Sequence, residues 1–511
     1  MTMRPPFATA LAPACRLRMA LGLLALQALA WPAVAQPGWV HLPPRHVTEP
    51  ATRAQLRPEH QPLSGDPATR WLQTRWRGGV GPADLQTVHV GGTAAQALDL
   101  LLVADGFTAA ERDTFFAAAD ATSAALLAWS PYGDYASLIN VHALFVASAQ
   151  SGASHPAQNT WVDNAFGTTY DYGGLARLAV ADDGKVIDAA LQALPEYDIA
   201  IVLVNDSAYG GSGGAVPVVS LHAEAIGILR HELGHNLAHL ADEYTAPYPG
   251  YPAGDSEPNV AAATHLNPPK WHDWIDDSTP VPTPPSAVTG LFSPLGAYEG
   301  ARYEEHGIYR PAPNCLMRTL DMAFCPICAE ALVVALHKQT TMLRGVTPAL
   351  AADVTCTVGQ CPQFSAEVAA IATLVWHWRV DDVDVATSPS WTPGAGEVGD
   401  HTVELQLRDE TDSVRTDPKD RLLERATWQL HVTAGATPPA EVTPAADAAS
   451  APDLAAADCG DCDEAPAEPE VVKRRARSGC TAGAPAPGHG LAVLGLVAAL
   501  QRRRSRWARN G

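Results

Sequence analysis

The chain has 511 residues, a formal net charge of −21 and 47% hydrophobic content, which suits a globular protein of two or three domains. No basic patch accompanies this charge, which excludes nucleic acid as a partner. Charged residues make up only 17% of a chain that holds 43 prolines, so the acidity must be concentrated locally.

Residues 1–35 read as an export signal. Arg4, Arg16 and Arg18 supply positive charge, Met19 to Ala30 is an apolar core too short to span a bilayer, and Ala33-Val34-Ala35 is a small-x-small cleavage site before Gln36. Its removal takes Cys15 and leaves eight cysteines in an oxidising compartment. Residues 36–90 form a polar, proline-rich extension in which Trp71 to Trp76 alternates like a strand of a small β layer.

Residues 91–345 carry the pattern of one α/β domain. LDLLLVADGF reads as a buried strand, and the helix TAAERDTFFAAADATSAALLAW follows, with Thr108 and Glu111 as a capping box. INVHALFVAS and YDIAIVLVN are further strands, with the helix GKVIDAALQAL between them. Strands alternating with helices predict a mostly parallel sheet. The glycine-rich stretch Ser207 to Gly214 lacks phosphate-loop spacing and reads as an edge strand or turn, whose backbone could pair with an extended substrate.

The run from Ala223 to Tyr244, AEAIGILRHELGHNLAHLADEY, has apolar residues recurring at threes and fours and reads as one helix. His231 and His235 then lie one turn apart on one face, close enough to share a metal ion, and Glu232 stands beside them as a general base. A third ligand is needed. On a straight helix Asp242 lies about 10 Å beyond His235, so the chain must turn back after Leu237 for it to ligate. Asp242 is the favoured third ligand, with Glu243, His239 and Glu299 as alternatives.

The proline-rich passage from Thr245 to Pro285 is expected to be irregular and to wall a cleft, with His272 a packed structural histidine between Trp271 and Trp274. Gly296 to Met317 returns the chain to the site. Cys325-Pro326-Ile327-Cys328 could be a redox pair or half of a structural zinc site, but no second such pair exists in this region. Disulfides are therefore expected, with Cys315 a partner in one of them. Residues 346–434 contain short alternating strands, DVTCTV, TLVWHWRVDD, HTVELQLRDE and ATWQLHVT, and read as an all-β immunoglobulin-like sandwich with Cys356 and Cys361 stapling a loop. Residues 435–478 are an acidic Ala/Pro-rich spacer carrying the pair Cys459 and Cys462. Residues 479–511 combine a small-residue motif at Cys480, an apolar stretch from Leu491 to Leu500 and a basic cluster, Arg502 to Arg504.

LLLVADGFTAAER, SAQSGA, VNDSAYGGSG, RHELGHNLAHLADEY, KWHDWI, YEGARYEEHGIYRP, NCLM and FCPIC, in this order, resemble the immunoglobulin A metallopeptidase family over roughly residues 95–435. The resemblance implies a zincin-like catalytic domain and a secreted zinc endopeptidase with one Zn2+ per chain. It also implies that His231 and His235 are ligands, Glu232 is the base and Met317 forms the methionine turn beneath the ion. It does not imply immunoglobulin A as substrate. Where metzincins carry a glycine to turn the chain after the second histidine, this sequence carries His239. Tyr309 or Tyr303 could stabilise an oxyanion. The tail resembles myxobacterial-type sorting tails, which implies passage through the membrane, processing near Cys480 and display at the cell surface. The expected partner is a protein or peptide substrate, and the chain is expected to be a monomer. The alternative is a surface adhesion protein that keeps the peptidase fold and has lost catalysis.

Overall fold

The computed structural model describes residues 84–435 apart from 249–250, 321, 351–352 and 395–397. The export segment, the strand expected near residue 71, the acidic spacer beyond residue 435 and the tail around Cys480 lie outside them. No helix among the described residues is long and apolar enough to cross a membrane.

A six-stranded sheet forms the centre. Its strands are β1 (Leu85–His89), β2 (Leu98–Asp105), β3 (Ile139–Leu144), β4 (Ile199–Val204), β5 (Gly211–Ser212) and β6 (Val218–Ser220), in the order β1-β3-β2-β4-β6-β5. The four inner strands run parallel, while β1 and β5 pair antiparallel at the two edges. Every residue of β2 and β4 is buried, as a strand covered on both faces requires. Their side chains alternate between two cores. Leu98, Leu100, Leu102, Ile199, Ile201 and Leu203 enter one, and Leu101, Val103, Ala200, Val202 and Val204 enter the other.

Four helices complete the framework: α1 (Arg112–Leu127), α2 (Asp183–Ala193), α3 (Ala225–Ala238) and α4 (Pro326–Gln339). The first core takes Phe115 and Phe116 of α1, Leu229 and Leu233 of α3 and Leu332 and Leu336 of α4, and the second takes Val186 and Ala189 of α2. The capping box of Thr108 and Glu111 forms, one short 3-10 turn ahead of α1. At the carboxyl end of β2, Asp105 accepts hydrogen bonds from the amides of Gly106, Phe166 and Thr168. Gly106 has φ +73°, and a Cβ there would lie 2.3 Å from the Gly152 carbonyl, so only glycine lets the loop after β3 close onto this end.

Two expectations for the middle of the chain require correction. The helix expected through Tyr244 ends at Ala238, and the proline-rich passage contributes β7 (Ala261–Ala262) to a small antiparallel sheet completed by β9 (Glu304–Arg310) and β8 (Tyr298–Ala301). Trp271 is buried, with its Nε1 donating to the Gly296 carbonyl at 2.7 Å, but His272 is exposed rather than packed.

Eight further strands follow α4: β10 (Leu343–Thr347), β11 (Val354–Thr357), β12 (Phe364–Val368), β13 (Leu374–Val380), β14 (Val383–Ala386), β15 (Ser390–Trp391), β16 (Gly399–Asp409) and β17 (Leu423–Thr433). They form a five-stranded sheet, β11-β17-β16-β13-β14, and a three-stranded one, β10-β12-β15. Both contribute to one core around Phe364, Trp378, Trp391 and Trp428. In β17 Ala426, Trp428, Leu430 and Val432 point inward at every second position. Cys356 and Cys361 form a disulfide, whereas Cys315, Cys325 and Cys328 are free and buried, against the expected pairing.

Candidate metal centre

Helix α3 packs Leu229, Leu233 and Leu237 into the core, yet it also buries Arg230, His231, Glu232 and His235. Buried polar groups need partners. Nδ1 of His231 lies 3.2 Å from the Leu316 carbonyl, and Nδ1 of His235 lies 2.6 Å from the Leu240 carbonyl. A carbonyl only accepts, so each ring carries its proton on Nδ1 and turns Nε2 to the other side. The two Nε2 atoms meet 3.0 Å apart.

The chain turns back at His239, which takes the left-handed conformation at φ 53°, ψ 39°. The amide of Leu240 bonds the Gly234 carbonyl at 3.2 Å and that of His239 bonds the His235 carbonyl at 3.0 Å, a closure that usually falls to glycine. This reversal delivers Asp242. Its Oδ1 stands 3.0 Å from His231 Nε2 and 3.5 Å from His235 Nε2.

Asp242 is held from a second direction. The hairpin of β8 and β9 turns through Arg302 and Tyr303, both at positive φ, and the Arg302 amide donates to the Asp242 carbonyl at 2.8 Å. The Tyr303 hydroxyl donates to Asp242 Oδ2, and Tyr244 packs edge-on against the Tyr303 ring. Burial first, then the neighbouring Asp242 carboxylate, pushes the hydroxyls of Tyr303 and Tyr244 far above their ordinary range, so both stay protonated. Arg302 is itself anchored on Glu257 at 2.9 Å.

Beneath α3 lies Met317, fully buried, its Sδ 3.0 Å from where a Cβ on Gly234 would be. The Met317 carbonyl accepts from the Glu243 amide at 2.8 Å, tying this turn to the irregular segment that carries Asp242.

Of the other residues singled out by sequence, Glu232 is buried beside His231 and acts on it electrostatically. His239 is exposed and Glu299 lies exposed on β8, 3.5 Å from the Tyr309 hydroxyl, so neither of these two acids and bases joins the three ligand atoms. Glu243 points into a different group, with Cys315, Cys325 and Cys328. The carbonyls that orient the histidines and the hairpin that seats Tyr303 were not foreseen. A two-residue turn of this kind usually shows Asn-Gly, and Arg302-Tyr303 gives no such signal.

The group fits a divalent cation. Tetrahedral coordination by nitrogen and oxygen at about 2.0–2.1 Å implies edges of roughly 3.3–3.4 Å between ligand atoms, and the three edges here are 3.0, 3.0 and 3.5 Å. The electrostatics agree. Burial alone would lower the pKa of His231, but Asp242 and Glu232 outweigh it and raise it to about 9, so the pocket favours positive charge at this spot.

Residues 87–290 and 289–336 match the family model described as IgA Peptidase M64. No curated protein matches the chain.

Proposed function

We propose that this chain, which belongs through residues 87–336 to the immunoglobulin A peptidase family, is a zinc-dependent endopeptidase that hydrolyses peptide bonds in protein substrates. The observation that carries this reading is the convergence of His231, His235 and Asp242 on one point, with both histidines fixed by backbone carbonyls. These three residues would hold the ion and leave its fourth position open. Zinc, when bound, supplies a Lewis acid for the scissile carbonyl and acidifies water.

The chain's own residues supply the rest. Glu232 takes the proton of the attacking water and passes it to the leaving amine. With Nδ1–H directed at the Leu316 and Leu240 carbonyls, His231 and His235 present Nε2 to the ion. Tyr303 fixes the rotamer of Asp242. The outer edge of β5 is already taken, since the Gly211 amide donates to the Arg177 carbonyl at 3.1 Å and the Gly211 carbonyl accepts from the Ala179 amide at 3.4 Å, so the expected pairing of an extended substrate with this stretch is not available. In this reading the α/β region is zincin-like, and the C-terminal sheets are an immunoglobulin-like support. Residues 1–35 and 479–511 would direct export and surface display of a monomer.

Casein cleavage tests the reading. Glu232→Gln should lower turnover by about 10²–10⁴-fold while zinc content stays unchanged, and a chelator should abolish cleavage until zinc is restored. Cleavage retained by the Glu232→Gln protein would refute the mechanism.

A further inference from the structure

Glu243 follows Asp242 directly and belongs to a second buried group. Glu243, Cys315, Cys325 and Cys328 have ligand atoms all within 4.8 Å of one another, and none of the three thiols is in a disulfide. Cys325 caps α4 in extended conformation with Pro326 at the first helical position, so Cys328 stands in the first turn beside it. Cys315 comes from the turn that carries Met317. The Cys325 amide donates to Cys315 Sγ at 3.2 Å, and the Cys328 thiol donates to Glu243 Oε1 at 3.4 Å. Asn259 Nδ2 donates to the same oxygen at 3.0 Å, while Glu243 Oε2 is buried with no hydrogen-bond partner among the described residues.

A disulfide would consume two thiols and leave the third beside a buried carboxylate with one bare oxygen, an arrangement that costs free energy with no return. A tetrahedral ion uses all four groups. Zinc–sulfur bonds of about 2.3 Å and a zinc–oxygen bond of about 2.0–2.2 Å imply edges of roughly 3.5–3.8 Å, which the group reaches by closing slightly. We propose that Glu243, Cys315, Cys325 and Cys328 form a second zinc site, closed and structural, beside the catalytic centre. On binding, the three thiols release their protons to solvent, three Zn–S bonds and one Zn–O bond form, and nothing is oxidised or reduced. The excess negative charge is answered by Arg310 and Arg318, whose guanidinium groups both act on Glu243. Arg318 also donates to the Glu243 main-chain carbonyl.

The position gives the site its role. Cys315 fixes the turn whose next carbonyl, that of Leu316, orients His231, and Glu243 fixes the backbone that carries Asp242. The second ion is therefore a clamp on two of the three catalytic ligands.

Metal analysis of the full chain, purified without chelator, tests this inference independently of the proposed peptidase activity. The wild-type chain should hold two zinc ions and His231→Ala/His235→Ala should retain one. Cys325→Ser/Cys328→Ser should lose the ion that the histidine variant keeps, whereas Cys459→Ser/Cys462→Ser should hold the wild-type amount. Should the cysteine variant fail to fold, cobalt(II) loaded into the histidine variant reads the same site. Thiolate-to-cobalt charge-transfer absorption is expected, reduced by Glu243→Gln. A histidine variant with no metal and no such absorption, or a disulfide between Cys325 and Cys328 in the intact mass of unreduced protein, overturns the inference. Failure of the catalytic reading would instead remove the ion that the histidine substitutions remove.

Discussion

Tyr303 shows how much of a site can rest on one hydroxyl outside it. The tyrosine is proposed to touch no ion, yet it donates to the Oδ2 of Asp242 and so decides which oxygen faces the histidines. Partners of this kind are worth about 10–100-fold in metal affinity or activity. Tyr303→Phe should therefore weaken zinc affinity by that factor in competition with a chelating dye. His239 makes the opposite case. It is exposed and sits at φ 53°, where a side chain costs about 1 kcal/mol relative to glycine. His239→Gly should raise stability by about that amount in urea denaturation and leave zinc content intact. If His239 were a ligand, the same change would lower zinc content.

At the scale of elements, what was legible followed from burial on two sides. β2 and β4 are unbroken apolar runs because both faces are covered, and such runs announce themselves. The end of α3 was hidden for a reason that can be named. Leu237 and Leu240 continue the helical spacing across the point where the chain leaves the helix, and no glycine marks the break. The histidine pair and its glutamate were plain, since one helical turn relates them. Asp242 follows closely and was the favoured third ligand, whereas groups that hold these residues in place come from segments far off in sequence, including the Leu316 carbonyl and the hairpin at Tyr303. The four-residue cysteine group was hidden in the same way, because its fourth member lies 72 positions before Cys315 and reads as a neighbour of Asp242.

Across the whole molecule, the α/β region and the C-terminal sheets are joined by a buried polar knot at Asp409, the last residue of β16. Asp409 Oδ2 accepts from the Tyr135 hydroxyl at 2.7 Å and from His337 Nε2 of α4 at 2.9 Å, and Thr373 donates to Oδ1. Burial would raise the Asp409 pKa, but the hydrogen bonds from His337, Thr373 and Tyr135 outweigh it and hold the carboxyl below its ordinary value. A depressed folded pKa stabilises the fold above the unfolded value, and that stability is lost as pH falls through the folded one. Asp409→Asn should therefore cost about 2 kcal/mol at pH 7. The gap to wild type should close only below about pH 4, read by urea denaturation at both pH values.

The three free thiols carry a consequence for how such a chain is made. Cys315, Cys325 and Cys328 are wholly sealed from solvent once the core has closed. Oxidant and metal can compete for them only while the polypeptide is still open, and two of them stand close enough in sequence to cross-link readily at that stage. Under the export and the second metal site proposed above, maturation is thus a race, in which early cation capture builds the proposed clamp and early cross-linking leaves Asp242 without it.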